Sequence, residues 1–117
     1  MLIAAFDQAA SSGWCFVHVP ADRPVLFSPR CVLEFGVART FRQRVEVMAK
    51  LRAHMEGLGL EPQQLYAVFE DHGNVPAGKG APTKTLLGMG RAHGHWEEQL
   101  AFFGVPESHW SKVLPAT

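Results

Sequence analysis

"IAAFDQAASSGWCFV", residues 3–17, decides the fold. An apolar run from Leu2 to Phe6 ends on a carboxylate, Asp7. The small residues SSG turn the chain, and a second apolar run, WCFVHV, starts at Trp14. Five consecutive apolar residues predict a strand buried on both faces. The aromatic and β-branched residues after the turn predict a second strand. PADRP is a turn, and VLFSPRCVLEF reads as a third strand, with Pro29 marking a bulge or an edge. Three strands joined by short links predict a meander.

Beyond the meander the period changes. Thr40 is placed to cap a helix, and Phe41, Val45, Met48, Leu51, Met55 and Leu58 recur at intervals of three and four. Gly57 and Gly59, with Pro62 beyond, end that helix. LYAVFE (65–70) is a fourth strand that again ends on an acid, Glu70, and DHGNVPAGKGAP (71–82) is a loop by composition. Thr83 can cap a second helix with the stripe Leu86, Met89, His93, Trp96, Leu100 and Phe103. Gly88, Gly90 and Gly94 interrupt it at about 1 kcal/mol each against alanine. Close approach of another helix, a second subunit or a phosphate would account for them. GVPESHW is expected as a short fifth strand. The result is an α/β chain, β-β-β-α-β-α-β, with a five-stranded mixed sheet and helices packed on it.

The chain has 117 residues, 47% of them hydrophobic, which suits one domain with a real core. Eleven basic residues balance eleven acidic ones, so bulk charge points to no partner. The distribution is uneven. No acid lies between Asp71 and Glu97, a stretch that holds Lys79, Lys84 and Arg91 with His72, His93 and His95. Arg39, Arg42 and Arg44 cluster where the first helix begins, an end at which positive charge is mildly unfavourable. Such clusters can hold phosphates without a basic pI, or be solvated surface. There is no signal-peptide pattern and no apolar run of roughly 20 residues, so a cytoplasmic protein without a membrane partner is expected. Cys15 and Cys31 fit no zinc spacing and are expected as thiols. His93 and His95, two apart on a helix, cannot easily share a metal.

The two most apolar strands both end in a carboxylate. In open α/β sheets ligands bind at the carboxyl ends of the strands. Neighbouring carboxylates repel unless a cation sits between them. Mg²⁺ is hard, prefers oxygen, and is commonly held by one or two carboxylates plus waters and phosphate oxygens. Asp7 and Glu70 are therefore candidate metal ligands and catalytic residues, against the simpler reading of strand-end acids facing water.

The segments AAFDQAASSGWCFV, AVFED and KTLLGMGRAHGHWEEQLAFFGVP together resemble the RuvC-type Holliday junction resolvases, in their short phage-like form. The resemblance implies an RNase H-like fold and a homodimer through the 83–103 helix. It also implies metal-dependent cutting of four-way DNA junctions with Mg²⁺, or Mn²⁺ in its place. By the same resemblance Asp7 and Glu70 match the catalytic acids of the first and fourth strands, and Asp71 is a possible further ligand. The loop from His72 to Pro82 matches a segment that reaches the junction, which makes Lys79, Lys84 and Arg91 the expected phosphate contacts. That loop contains no aromatic residue, so no aromatic wedge into DNA is expected. Family members carry further acids on a C-terminal helix, and LPAT resembles the point just before it. The expectation is a catalytic domain lacking its last helix, with an incomplete metal site. A non-catalytic branched-DNA-binding protein of the same fold is accordingly the alternative function. An actin-like ATPase also ends its first strand on Asp, but DQAASSG lacks an early glycine for phosphate approach, and 117 residues cannot form two clamping domains.

Overall fold

The computed structural model describes residues 1–7, 11–19, 31–70 and 83–113, with side chains from Arg91 onward in the last of these segments. β1 (Leu2–Phe6), β2 (Ser12–His18) and β3 (Val32–Ala38) form the expected antiparallel meander. β4 (Leu65–Glu70) lies parallel to β1, and β5 (Trp110–Val113) lies parallel to β4. The sheet order is β3-β2-β1-β4-β5. Parallel neighbours need crossovers, and two helices supply them: α1 (Phe41–Leu58) leads from β3 to β4, and α2 (Thr83–Phe103) leads from β4 to β5.

Burial on β1 and β4 alternates instead of being two-sided. Leu2, Ala4 and Phe6, with Leu65, Ala67 and Phe69, face the helices and are buried. Ile3, Ala5 and Val68 on the opposite face are only half-buried. Apolar residues at every position concealed this, because period-2 burial is visible only when the outer positions are polar. β3 runs over Val32–Ala38, and the PADRP turn, Pro29 and the expected start of the third strand lie outside the described residues. The expected fifth strand is displaced as well. Glu107–His109 form a 3-10 turn after Pro106, and pairing begins at Trp110 opposite Ala67. Cys15 and Cys31 are free thiols, and burial pushes the Cys15 thiol up.

Thr40 caps α1 as expected. Its hydroxyl accepts from the Gln43 N–H at 3.1 Å, and the Gln43 side chain accepts from the Arg39 and Thr40 amides. Gly59, at φ +67°, ends the helix in the left-handed conformation. The buried face is Arg44, Val47, Met48, Leu51 and Met55. Phe41, Val45 and Leu58 are exposed, so the helix is rotated from the expected stripe and brings an arginine inward. α2 begins at Thr83, and the capping role expected of that side chain lies outside the described side chains. Its buried residues from Arg91 onward are Ala92, His95, Trp96 and Leu100. Trp96 is fully buried and stacks on Phe6 at 4.4 Å between ring centroids. His93 is half-buried, pairs with Glu97 one turn on, and meets the Phe69 ring edge-on at 5.2 Å.

Two contacts tie β3 to the rest. Gly36 lies against Trp14, where a Cβ would come 2.8 Å from the indole. Gly36→Ala should therefore force the ring to shift and destabilise by about 1–3 kcal/mol, read as a lower urea midpoint. Glu34 accepts from Lys50 and from the His54 ring, each at 2.9 Å, and these partners hold its carboxyl below the usual range. A depressed carboxyl stabilises the fold fully above its unfolded pKa and loses that contribution as pH falls through the folded value. The stability gap between wild type and Glu34→Gln should thus be present at pH 6 and close below about pH 4, the ordinary carboxylate range. Denaturant titrations at the two pH values would read it.

Candidate active site

The parallel register places the two strand-end acids. Ala5 pairs with Val68 and Phe6 with Phe69, so Asp7 and Glu70 follow side by side at the carboxyl rim. Neighbouring strands lie about 4.8 Å apart. Phe6 and Phe69 point to the helices, so the next residue on each strand points to the other face. Both acids are half-buried there. The Asp7 amide donates to the Gly13 carbonyl at 2.9 Å, which ties the end of β1 to β2. Gly13 leaves room beside the acid, since a Cβ there would lie 3.9 Å from the Asp7 Cβ.

Asp7 and Glu70 share one groove of about 590 Å³, walled by Ala5, Cys15, Phe35 and Val68. Phe35 is 77% exposed. Among the described residues no helix packs on this face. An open apolar floor with two carboxylates at one end can take a chain-like ligand whose charged group sits at the rim and whose apolar part lies on the sheet. Among the described residues no group of three potential metal ligands occurs. Two adjacent carboxylates nevertheless fit Mg²⁺, which ordinarily completes its octahedron with waters and substrate phosphate.

Both helices start near this rim. Phe41, the first residue of α1, stacks on His95 at 3.5 Å, and Trp96 stacks on the last residue of β1. Residues 83–91 of α2, about 13 Å of helix at 1.5 Å per residue, therefore extend beyond the contacts that Trp96 and His93 make with the ends of β1 and β4. Arg91 lies on this overhang and is exposed, and Lys84 falls in its first turn. Lys79 and Asp71 lie outside the described residues. At the foot of the overhang, His95 and Arg44 are buried. Burial first, then the Arg44 charge, hold His95 below the ordinary imidazole range, with Glu98 pulling it partly back. Burial also lowers the Arg44 guanidinium. Reading the first helix through Phe41 and Val45 hid this pair. The alternative stripe 44-47-48-51-55 has equally good helical spacing and contains an arginine.

The arrangement is an RNase H-like α/β fold, a five-stranded mixed sheet with two helices. Two solved structures share it. RuvC of Thermus thermophilus superposes with a TM-score of 0.62 at 16% identity, over 98% of this chain and 64% of that one. T. thermophilus RuvC in complex with a Holliday junction substrate gives a TM-score of 0.60 at 16% identity and the same coverage. The fold is thus RuvC-like, and the chain spans about 64% of the length of these RuvC chains. No protein-family model and no curated protein sequence matches it.

Proposed function

We propose that the chain is a structure-selective endodeoxyribonuclease that cuts four-way or otherwise branched DNA by metal-dependent phosphodiester hydrolysis. The observation that carries this reading is the parallel β1–β4 register, which sets Asp7 beside Glu70 at the mouth of one groove in a RuvC-like fold. Asp7 and Glu70 would hold Mg²⁺, or Mn²⁺ in its place, with Asp71 a further candidate ligand. When bound, such an ion supplies Lewis-acid stabilisation to a phosphate and lowers the pKa of an attacking water. The two carboxylates orient that centre, and the open groove leaves the rim accessible to a strand backbone. Lys79, Lys84 and Arg91 are assigned to phosphate contacts, where Arg91 has a suitable exposed position on the overhang. The T. thermophilus relative bound to a Holliday junction supports branched DNA as the substrate class.

A homodimer through α2 belongs to the same proposal. The support is a groove between the two helices lined by Val45, Met48, Arg52, Phe102 and Phe103, in which Phe102 is 90% exposed. A second reading, a non-catalytic junction binder, is favoured by one observation: among the described residues, no third ligand joins the acid pair. The test is a labelled synthetic four-way junction incubated with the chain, with and without Mg²⁺, beside a linear duplex of the same sequence. Symmetric nicks in the junction alone, dependent on Mg²⁺, are expected. A shifted but uncut junction would favour the binder, and neither shift nor nick would reject both.

A further inference from the structure

The acid pair and its groove do not use the other end of the same rim, where α1 begins. Arg39 and Arg42 are exposed there, Arg44 is buried, and the first turn contains no acid. The exposed pair Arg39 and Arg42 thus adds positive charge to a helix end that already carries a partial one. Such a pair is disfavoured unless an anion answers it.

His95 supplies a second and independent sign. It is only 4% exposed, and neither ring nitrogen has a hydrogen-bond partner among the described residues. A buried imidazole with both nitrogens unsatisfied is costly, and such groups call for an unseen partner. The ring lies flat against Phe41, the first residue of α1, at 3.5 Å and 11°. Phe41 is itself 64% exposed, so rotation of one surface side chain brings the imidazole to the mouth of the site. Arg91 precedes His95 by four residues. It therefore lies on the same face of α2, one turn higher, and overhangs the start of α1.

We propose that the notch between the first turn of α1 and the overhanging α2, formed by Arg39, Arg42, Arg91 and His95, seats a backbone phosphate of DNA. This rests on the DNA reading above and extends it. The acid pair addresses one phosphate on the open-face side of the rim, and the notch addresses another on the helix side. A strand, or two arms of a junction, would then be gripped across the top of the sheet. The α1 arginines supply charge, and the imidazole, neutral when the notch is empty, gains a proton and a partner when a phosphate enters.

Binding is measured in EDTA, so that cleavage plays no part. The anisotropy of a labelled four-way junction is titrated with wild type, with the double variant Arg39→Gln/Arg42→Gln, and with Lys50→Gln as a control. Lys50 lies nine residues along α1 from Phe41, paired with Glu34 on β3. The double variant should bind at least about tenfold more weakly, and its log–log salt slope should fall by about two. The control should match wild type. In parallel, the His95 ring ¹⁵N signals of wild type are followed during addition of a short single-stranded oligonucleotide, and separately of inorganic phosphate. A His95 shift with the oligonucleotide supports the notch as a backbone site. A shift with inorganic phosphate alone makes it a free-anion site and overturns the proposal. Unchanged affinity and salt slope in the double variant overturn it while leaving the acid-pair reading intact. A chain that binds the junction through the notch without ever cutting it would sink the nuclease reading and leave the notch standing.

Discussion

Asp7→Asn should abolish Mg²⁺-dependent junction cleavage, with a fall of at least about 10²–10³-fold, while leaving junction binding in EDTA within a factor of a few. The magnitude is that of losing one group that stabilises charge in the transition state. The separation of effects follows from geometry. Asp7 stands after the last pairing residue of β1, half-buried, with its backbone amide bonded to Gly13. Asparagine keeps that amide and nearly the same volume, so the sheet should remain intact. The charge that would hold the cation is lost. Glu70→Gln should behave the same way, because the register makes the two positions neighbours. If the acids act through one ion, the double variant should be little worse than either single variant, since residues that act as a unit are not additive. Quantified nicking by each variant, with circular dichroism as a folding control, decides the matter.

The largest expected loss of stability belongs to Trp96→Ala. The indole is fully buried, stacks on Phe6 and closes α2 onto the end of β1. Removing a buried large aromatic costs about 3–5 kcal/mol. For a chain of this size that lowers Tm by on the order of 10–20 °C. The consequence for function is specific. Trp96 neighbours His95 at the foot of the overhang, so a loosened α2 should weaken DNA binding before the sheet unfolds. Thermal unfolding and junction titration on the same sample would separate the two. A variant with wild-type Tm would mean that α2 is not anchored through this contact.

Much of the architecture could be read from short stretches. LIAAF and LYAVFE mark β1 and β4 to within a residue, and the Thr40 cap and Gly59 stop mark both ends of α1. The acid pair was equally legible, because both strands end on a carboxylate and parallel pairing sets them level. Other features could not be read. Burial on one face only was hidden by apolar residues such as Ile3, Ala5 and Val68, which suit a floor as well as a core. The rotation of α1 was hidden because intervals of three and four fit two overlapping stripes. The choice between them rests on tertiary packing against Phe6, Phe16 and Trp96 rather than on the helix itself. His95 was overshadowed by His93, which lies on the expected stripe but finds its partner in Glu97. The delay of β5 from Gly104 to Trp110 reflects Pro106, which starts a 3-10 turn where a strand was expected.

The proposed nuclease reading requires Asp7 and Glu70 to hold a divalent cation together. The most direct measurement is an anomalous difference map from crystals soaked in Mn²⁺, which replaces Mg²⁺ and scatters anomalously. One peak is expected at the carboxyl rim, in coordination distance of a carboxylate oxygen from each acid, and no such peak in crystals of Asp7→Asn. An empty rim at millimolar Mn²⁺, or a peak bound by one acid while the other turns away, would contradict it.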